Sequence, residues 1–256
     1  MNAAPLPLLI PGNMCDARLW DGAGGAIRTA LAAATARAAV DADTKQDDSI
    51  AAMAARALAA TSGPLIAIGF SMGAIIALEM AVQAPERIAG LGLIGYNATA
   101  DLPERAAHRP VQQAEVRAGG LERVLVEELK PNYLAAANRG NTALLALLRD
   151  MGMALGPDVF IRQSEALRLR ADRVDALARI ACPVLLMGGS EDALCPPAWH
   201  HRWQTLLPDA QIFIEPAGHM VPLEAPMALA ERLEGWLATW IATQPEERLT
   251  PCPTAS

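Results

Sequence analysis

The stretch "IAIGFSMGAIIALEM", Ile66–Met80, decides how this chain is read. Ser71 stands between Gly69 and Gly73, with an apolar run on either side. No charged residue occurs between Arg56 and Glu79, a gap long enough to span a bilayer. Gly63-Pro64 interrupts that gap, and the two glycines flank the serine at its centre. "PLIAIGF" (64–70) therefore reads as a short buried strand, and "GAIIALEMAVQAPE" (73–86) as a helix that stops before Pro85. Strand, tight turn and helix fit this stretch better than one membrane helix.

Working outward, similar apolar runs recur at "PLPLLI" (5–10), "ARAAV" (36–40), "IAGLGLIGY" (88–96), "PVLLMGG" (183–189) and "AQIFIEP" (210–216). "ARAAV" is the weakest, because alanine has little strand preference. Helical stretches lie between them, among them "DDSIAAMAARALAA", "PAWHHRWQTLL" and "MALAERLEGWLATWIA". Strands alternating with helices predict an α/β fold with a parallel sheet. The alternation stops from Asn97 to Arg179, where only helical periodicity remains, punctuated by Gly and Pro. The expected organisation is a core in two parts, 1–96 and 180–243, a helical insertion over 97–179, and a disordered polar tail, 244–256.

Bulk properties bound the partners. The chain has 256 residues, 52% hydrophobic and only 4% aromatic, so Ala, Leu and Ile must fill one sizeable core. A net charge of −7 without a Lys/Arg cluster disfavours nucleic acid and anionic membranes, and favours neutral or modestly charged small molecules. Cys15, Cys182, Cys195 and Cys252 are too scattered for a disulfide framework, which predicts reduced thiols and a cytoplasmic protein. "MNAAPLPLLIPG" lacks a basic n-region and is broken by prolines, so it does not read as a signal peptide. No cysteine/histidine cluster and no phosphate loop is visible, so neither a metal nor a cofactor is expected.

Ser71 stands where a strand ends and a helix begins, and Gly69-Phe70-Ser71-Met72-Gly73 fits G-x-S-x-G, a sharp turn that lifts the hydroxyl clear of a sheet. A packing turn bracketed by glycines would look alike, so the partners decide. A serine hydroxyl is a poor nucleophile until a base takes its proton, and the base needs an acid to orient it. Of His108, His200, His201 and His219, only His219 lies in a glycine-containing loop, "EPAGHMVPLEAP", just after the last strand. The acid should follow another strand end, where "GGSEDALCPP" offers both Glu191 and Asp192.

With these motifs in this order, the chain resembles the α/β-hydrolase superfamily over nearly its whole length. "LLIPGNMCDARLW" looks like the first core strand and oxyanion loop, "GFSMG" the nucleophile elbow, "GGSEDALCPP" the acid loop and "AGHMVPLEAP" the histidine loop. The resemblance implies Ser71 as nucleophile, His219 as base, Asp192 rather than Glu191 as acid, and the backbone N–H groups of Met72 and Asn13 as oxyanion hole. It makes the insertion a cap over the pocket. Two departures are visible. Pro11-Gly12 stands where many relatives have His-Gly, and proline cannot supply the histidine's polar contacts. The antiparallel hairpin usually preceding the first core strand is missing, leaving a mostly parallel sheet of about six strands flanked by helices.

The function so implied is cleavage of small-molecule carboxylic esters through an acyl-enzyme. The same fold also supports cofactor-free peroxidation, carbon–carbon hydrolysis and lyase chemistry, and non-catalytic ligand receptors. For the pocket, Tyr96 is the leading lining candidate because it leaves a core strand for the insertion. Trp20 and Met151 are further substrate-binding candidates.

Overall fold

The computed structural model describes residues 4–129 and 133–243, with 240–243 described by backbone alone. Six strands form one sheet: β1 (Leu6–Ile10), β2 (Val40–Asp41), β3 (Leu65–Phe70), β4 (Ile88–Ile94), β5 (Val184–Gly189) and β6 (Gln211–Glu215). Their spatial order is β2-β1-β3-β4-β5-β6, and every pairing is parallel. The expected α/β fold with a six-stranded sheet is what the chain adopts. "ARAAV" contributes least: Ala36 turns left-handed (φ 55°) to end the preceding helix, and only Val40 and Asp41 pair, at the sheet edge.

The helices are α1 (Gly22–Thr35), α2 (Ile50–Ala59), α3 (Met72–Gln83), α4 (Pro103–Arg117), α5 (Leu121–Arg123), α6 (Thr142–Arg168), α7 (Val174–Leu177), α8 (Pro197–Leu206), α9 (Val221–Glu224) and α10 (Pro226–Thr243). A π-helical turn, Val124–Leu129, continues α5. Between β4 and β5 the described residues contain helices and turns but no strand.

Every residue of β3 is buried, as a strand covered on both faces requires. Its side chains divide with period two. Leu65 and Ala67 join Leu8, Leu91, Leu93 and Leu186 under α2, α3 and α8, with Met53, Ile76 and Trp203. Ile66, Ile68 and Phe70 join Leu9, Ile94 and Leu185 under α1 and α10, with Ile27, Leu31, Leu233 and Trp236. Truncating a fully buried position such as Ile68 to Ala would cost about 2–5 kcal/mol. A third cluster of Val116, Leu121, Val124, Leu125, Val159 and Phe160 unites α4, α5 and α6, and Met14 reaches into it from the loop after β1.

The chain winds away in opposite directions from β1 and β3, so the topological switch lies between these neighbours. Ligand sites of open parallel sheets form outside the strand carboxyl ends at such a point. The loop after β1 and the turn after β3 both open there. No helix among the described residues is long and apolar enough to cross a membrane. The expected tail, 244–256, lies outside the described residues.

Candidate active site

Ser71 caps α3 with φ 54° and ψ −115°, a conformation that non-glycine residues rarely hold. The flanking glycines make it possible. A Cβ at Gly69 would overlap the carbonyl of Gly73, and one at Gly73 would overlap the carbonyl of Ile10. The turn thus needs backbone to touch backbone on both sides. The Ser71 N–H donates to the Ile94 carbonyl at 2.8 Å, which ties the elbow to the neighbouring strand.

The loops after β5 and β6 bring the other two residues to it. His219 Nε2 lies 3.0 Å from Ser71 Oγ, and His219 Nδ1 lies 2.7 Å from Asp192 Oδ2. The other Asp192 oxygen accepts the N–H groups of Leu194 and Cys195, both at 2.8 Å. Burial by itself would push this carboxyl up, but the charge and hydrogen bond of His219, with the two amides, outweigh it and hold the carboxyl below its ordinary value. Glu191, one residue away, points elsewhere: it is exposed and accepts from the Ala136 N–H at 2.8 Å.

Several residues that hold this arrangement carry no signal in the sequence. The Tyr133 carbonyl accepts the His219 N–H at 2.7 Å, and the rings of Phe70 and Tyr133 stand 5.0 Å and 5.9 Å from the imidazole. Glu224 accepts from the N–H groups of Gly218 and Ala135, both at 2.8 Å, fastening the histidine loop to the inserted segment. The loop after β1, where proline replaces a polar residue, is braced by fully buried Gln163 of α6. Its Oε1 accepts from Met14 N–H at 2.8 Å and Asn13 Nδ2 at 3.2 Å, and its Nε2 donates to the Thr44 carbonyl at 3.1 Å. The backbone N–H of Met72, at the helix start, has no intrahelical acceptor to bind.

A cavity of about 400 Å³ opens over Ser71, with Asn13, Met72, Phe70 and His219 in its floor and side chains of α4 and α6 in its roof. Tyr96, Trp20 and Met151, expected in the wall, are not there; all three are fully buried in the core. Gly95, at φ 57°, breaks the alternation of β4, so Tyr96 turns to the α8 side with Leu91 and Leu93 instead of following Ile94, its ring 6.5 Å from Trp203. Trp20 and Met151 pack together with the sheet's other face. It is Asn97, one residue beyond Tyr96, that reaches the cavity.

The remaining histidines are elsewhere in role. His200 is buried against Gly188, and desolvation pushes its pKa down. His108 lies on the roof beside Glu128 at 3.2 Å, and His201 is exposed. Asp192, Cys195 and His219 place possible metal-ligand atoms within 4.8 Å of one another. Those atoms are already engaged: the carboxylate holds His219 and two amides, and burial pushes the Cys195 thiol up, so it carries its proton.

Comparison with known proteins bears on the family and the fold. A putative carbamate hydrolase, RutD, of Klebsiella pneumoniae is 27% identical over 179 residues, covering 66% of this chain and 65% of the relative. The chain thus matches just under two thirds of that relative's length. The pimeloyl-[acyl-carrier protein] methyl ester esterase of Chromobacterium violaceum is 28% identical over 181 residues, 67% of this chain and 70% of the relative. The structure of a thermophilic esterase from Thermogutta terrifontis superposes with a TM-score of 0.80 at 24% identity, covering 93% and 92% of the two chains. The model of the alpha/beta hydrolase family matches residues 8–232. A match of that extent, on a parallel sheet with a serine elbow at its switch point, makes this chain a member of the α/β-hydrolase family.

Proposed function

We propose that the protein hydrolyses carboxylic esters of small molecules through a covalent acyl-enzyme on Ser71. The observation that carries this reading is the continuous hydrogen-bonded line Ser71 Oγ, His219, Asp192, with separations of 3.0 Å and 2.7 Å, open to the cavity at its serine end. His219 Nε2 takes the hydroxyl proton as Oγ attacks the ester carbonyl. Asp192 fixes the proton on Nδ1 and stabilises the imidazolium that forms. The developing oxyanion is received by the N–H groups of Met72 and Asn13, and His219 returns the proton to the leaving alcohol. Water activated by the same imidazole then releases the acid and frees Ser71.

The helical segment 97–179 serves as a cap that shapes the pocket. Cys15, Cys182 and Cys195 are free, which suits a reducing, cytoplasmic setting. The esterase and carbamate hydrolase relatives support carbonyl hydrolysis as the reaction class. The test is a fluorophosphonate probe followed by peptide mass mapping. The adduct is expected on Ser71 and absent from Ser71→Ala. Full esterase activity in Ser71→Ala would sink the mechanism.

A further inference from the structure

The protein as a whole is acidic, with net charge −7, yet its cavity is lined by Arg105, Arg109 and Arg170 and by one buried amide donor without an acceptor among the described residues. Asn97 is 5% exposed and lines the cavity. Its Oδ1 accepts from the Thr99 N–H at 3.0 Å, and because a backbone N–H can only donate, the orientation of the amide is fixed. That leaves Asn97 Nδ2 buried, with no acceptor among the described residues. A buried donor without an acceptor is expensive and is seldom left unless something else completes it.

The charges around the same cavity point the same way. Arg109 and Arg170 share a single buried carboxylate, Asp101, and Arg170 is further pinned by the carbonyls of Thr99 and Ala100 at 3.0 Å and 3.3 Å. Arg105 of α4, half-buried on the cavity, has no ion pair or hydrogen bond among the described residues, and its charge is felt by Tyr133, Cys195 and Arg170 around it. Of the acids in the wall, Glu128 is taken up by Arg123, Gln112 and His108. Glu104 is an exposed residue in the first turn of α4.

We propose that Asn97 and Arg105 form a subsite for an anionic oxygen group, so that the substrate is an ester that also carries a carboxylate. The word ester rests on the reading of Ser71 given above; the anion subsite does not. A neutral hydroxyl or carbonyl could satisfy Asn97 Nδ2 but would leave the Arg105 charge unanswered. A carboxylate answers both, through charge-assisted hydrogen bonds in a site partly shielded from water. The half-ester of a dicarboxylic acid has this chemistry, with one end for Ser71 and the other for the donor wall.

The test separates binding from turnover. Full-length protein carrying Ser71→Ala is titrated calorimetrically with monomethyl esters of the straight-chain diacids from malonate to suberate, each against its own dimethyl ester. For the chain length that fits, the half-ester is expected to bind about tenfold or more tightly than the diester, the value of one charge-assisted hydrogen bond. Added Arg105→Gln or Asn97→Leu should erase most of that preference, while Arg105→Lys retains much of it. Arg232→Gln, on α10 and paired with Glu215, is the charge-matched control and should leave the preference intact. Raised ionic strength should weaken the half-ester alone. Equal binding of half-ester and diester across the whole series overturns the subsite, as does a preference that survives Arg105→Gln. Labelled Ser71 without a half-ester preference defeats only the subsite, and a preference with Ser71 unlabelled defeats only the hydrolytic reading.

Discussion

Asp192 and Glu191 are adjacent acids on one loop, and their opposite fates show what a single residue's surroundings decide. Asp192 is 3% exposed, turned inward and hydrogen-bonded to His219, whereas Glu191 faces outward and caps the Ala136 N–H. Asn at 192 could still hold the imidazole but would favour the wrong tautomer, a change that costs about 10⁴ in turnover in the reference serine protease. Asp192→Asn is therefore expected to fold and to lose most activity, and Glu191→Gln, which keeps an acceptor for Ala136, to remain near wild type. Measuring both on one ester, with circular dichroism for folding, decides the matter; a dead Glu191→Gln would move the acid by one residue. Residue type and order alone could not separate these two, because spacing along the chain places both at the same strand end. Ser71 and His219 are legible as candidates, and fall side by side, because glycines mark their loops and because strand ends meet at one sheet edge. Tyr96 was misplaced because Gly95, left-handed at φ 57°, interrupts the strand alternation just after β4, which sends Tyr96 to the core and its neighbour Asn97 to the cavity.

At the scale of elements, the loop after β1 depends on a helix 150 residues away in sequence. Gln163 of α6 supplies, from the roof, the polar support that Pro11 cannot give from within the loop. Helical periodicity announced α6 but not which of its faces meets that loop, since Gly156 breaks the helix at φ 82° and resets its direction. Contacts of this range have no local signature. Gln163 touches no substrate, so its expected effect is on geometry. Gln163→Leu removes the acceptor for Met14 N–H and should let the Asn13 amide drift from the oxyanion, lowering kcat by about 10²-fold with KM little changed. The rate of fluorophosphonate labelling, which needs the same oxyanion contacts, should fall in parallel. Gln163→Glu, which keeps an acceptor for Met14, should recover part of the loss. A lower melting temperature with normal kcat and labelling would mean that Gln163 only stabilises the fold.

For the whole molecule, the buried titratable groups set how stability follows pH, and they act in two separate windows. Burial pushes His200 down, with Asp192 and His219 as the charged groups acting on it. In the folded protein it therefore stays neutral at pH values where an unfolded histidine, ordinarily near about 6.5, takes up a proton. The unfolded state then binds more protons, so stability must fall as pH drops below about 6.5, by at most about 1.4 kcal/mol per pH unit for this one group. Asp192 is held below its ordinary value, so its contribution is present above about 3.9 and is lost only as pH falls through its lower folded value. Thermal unfolding between pH 5 and pH 7.5 thus lies clear of the Asp192 window, and the His200 contribution is read there as a difference between variants. The wild type should lose stability across that range on acidification, and His200→Gln should show a shallower slope even if it is less stable throughout. Equal slopes for wild type and His200→Gln would show that the buried imidazole accepts its proton without unfolding the core around β5 and α8.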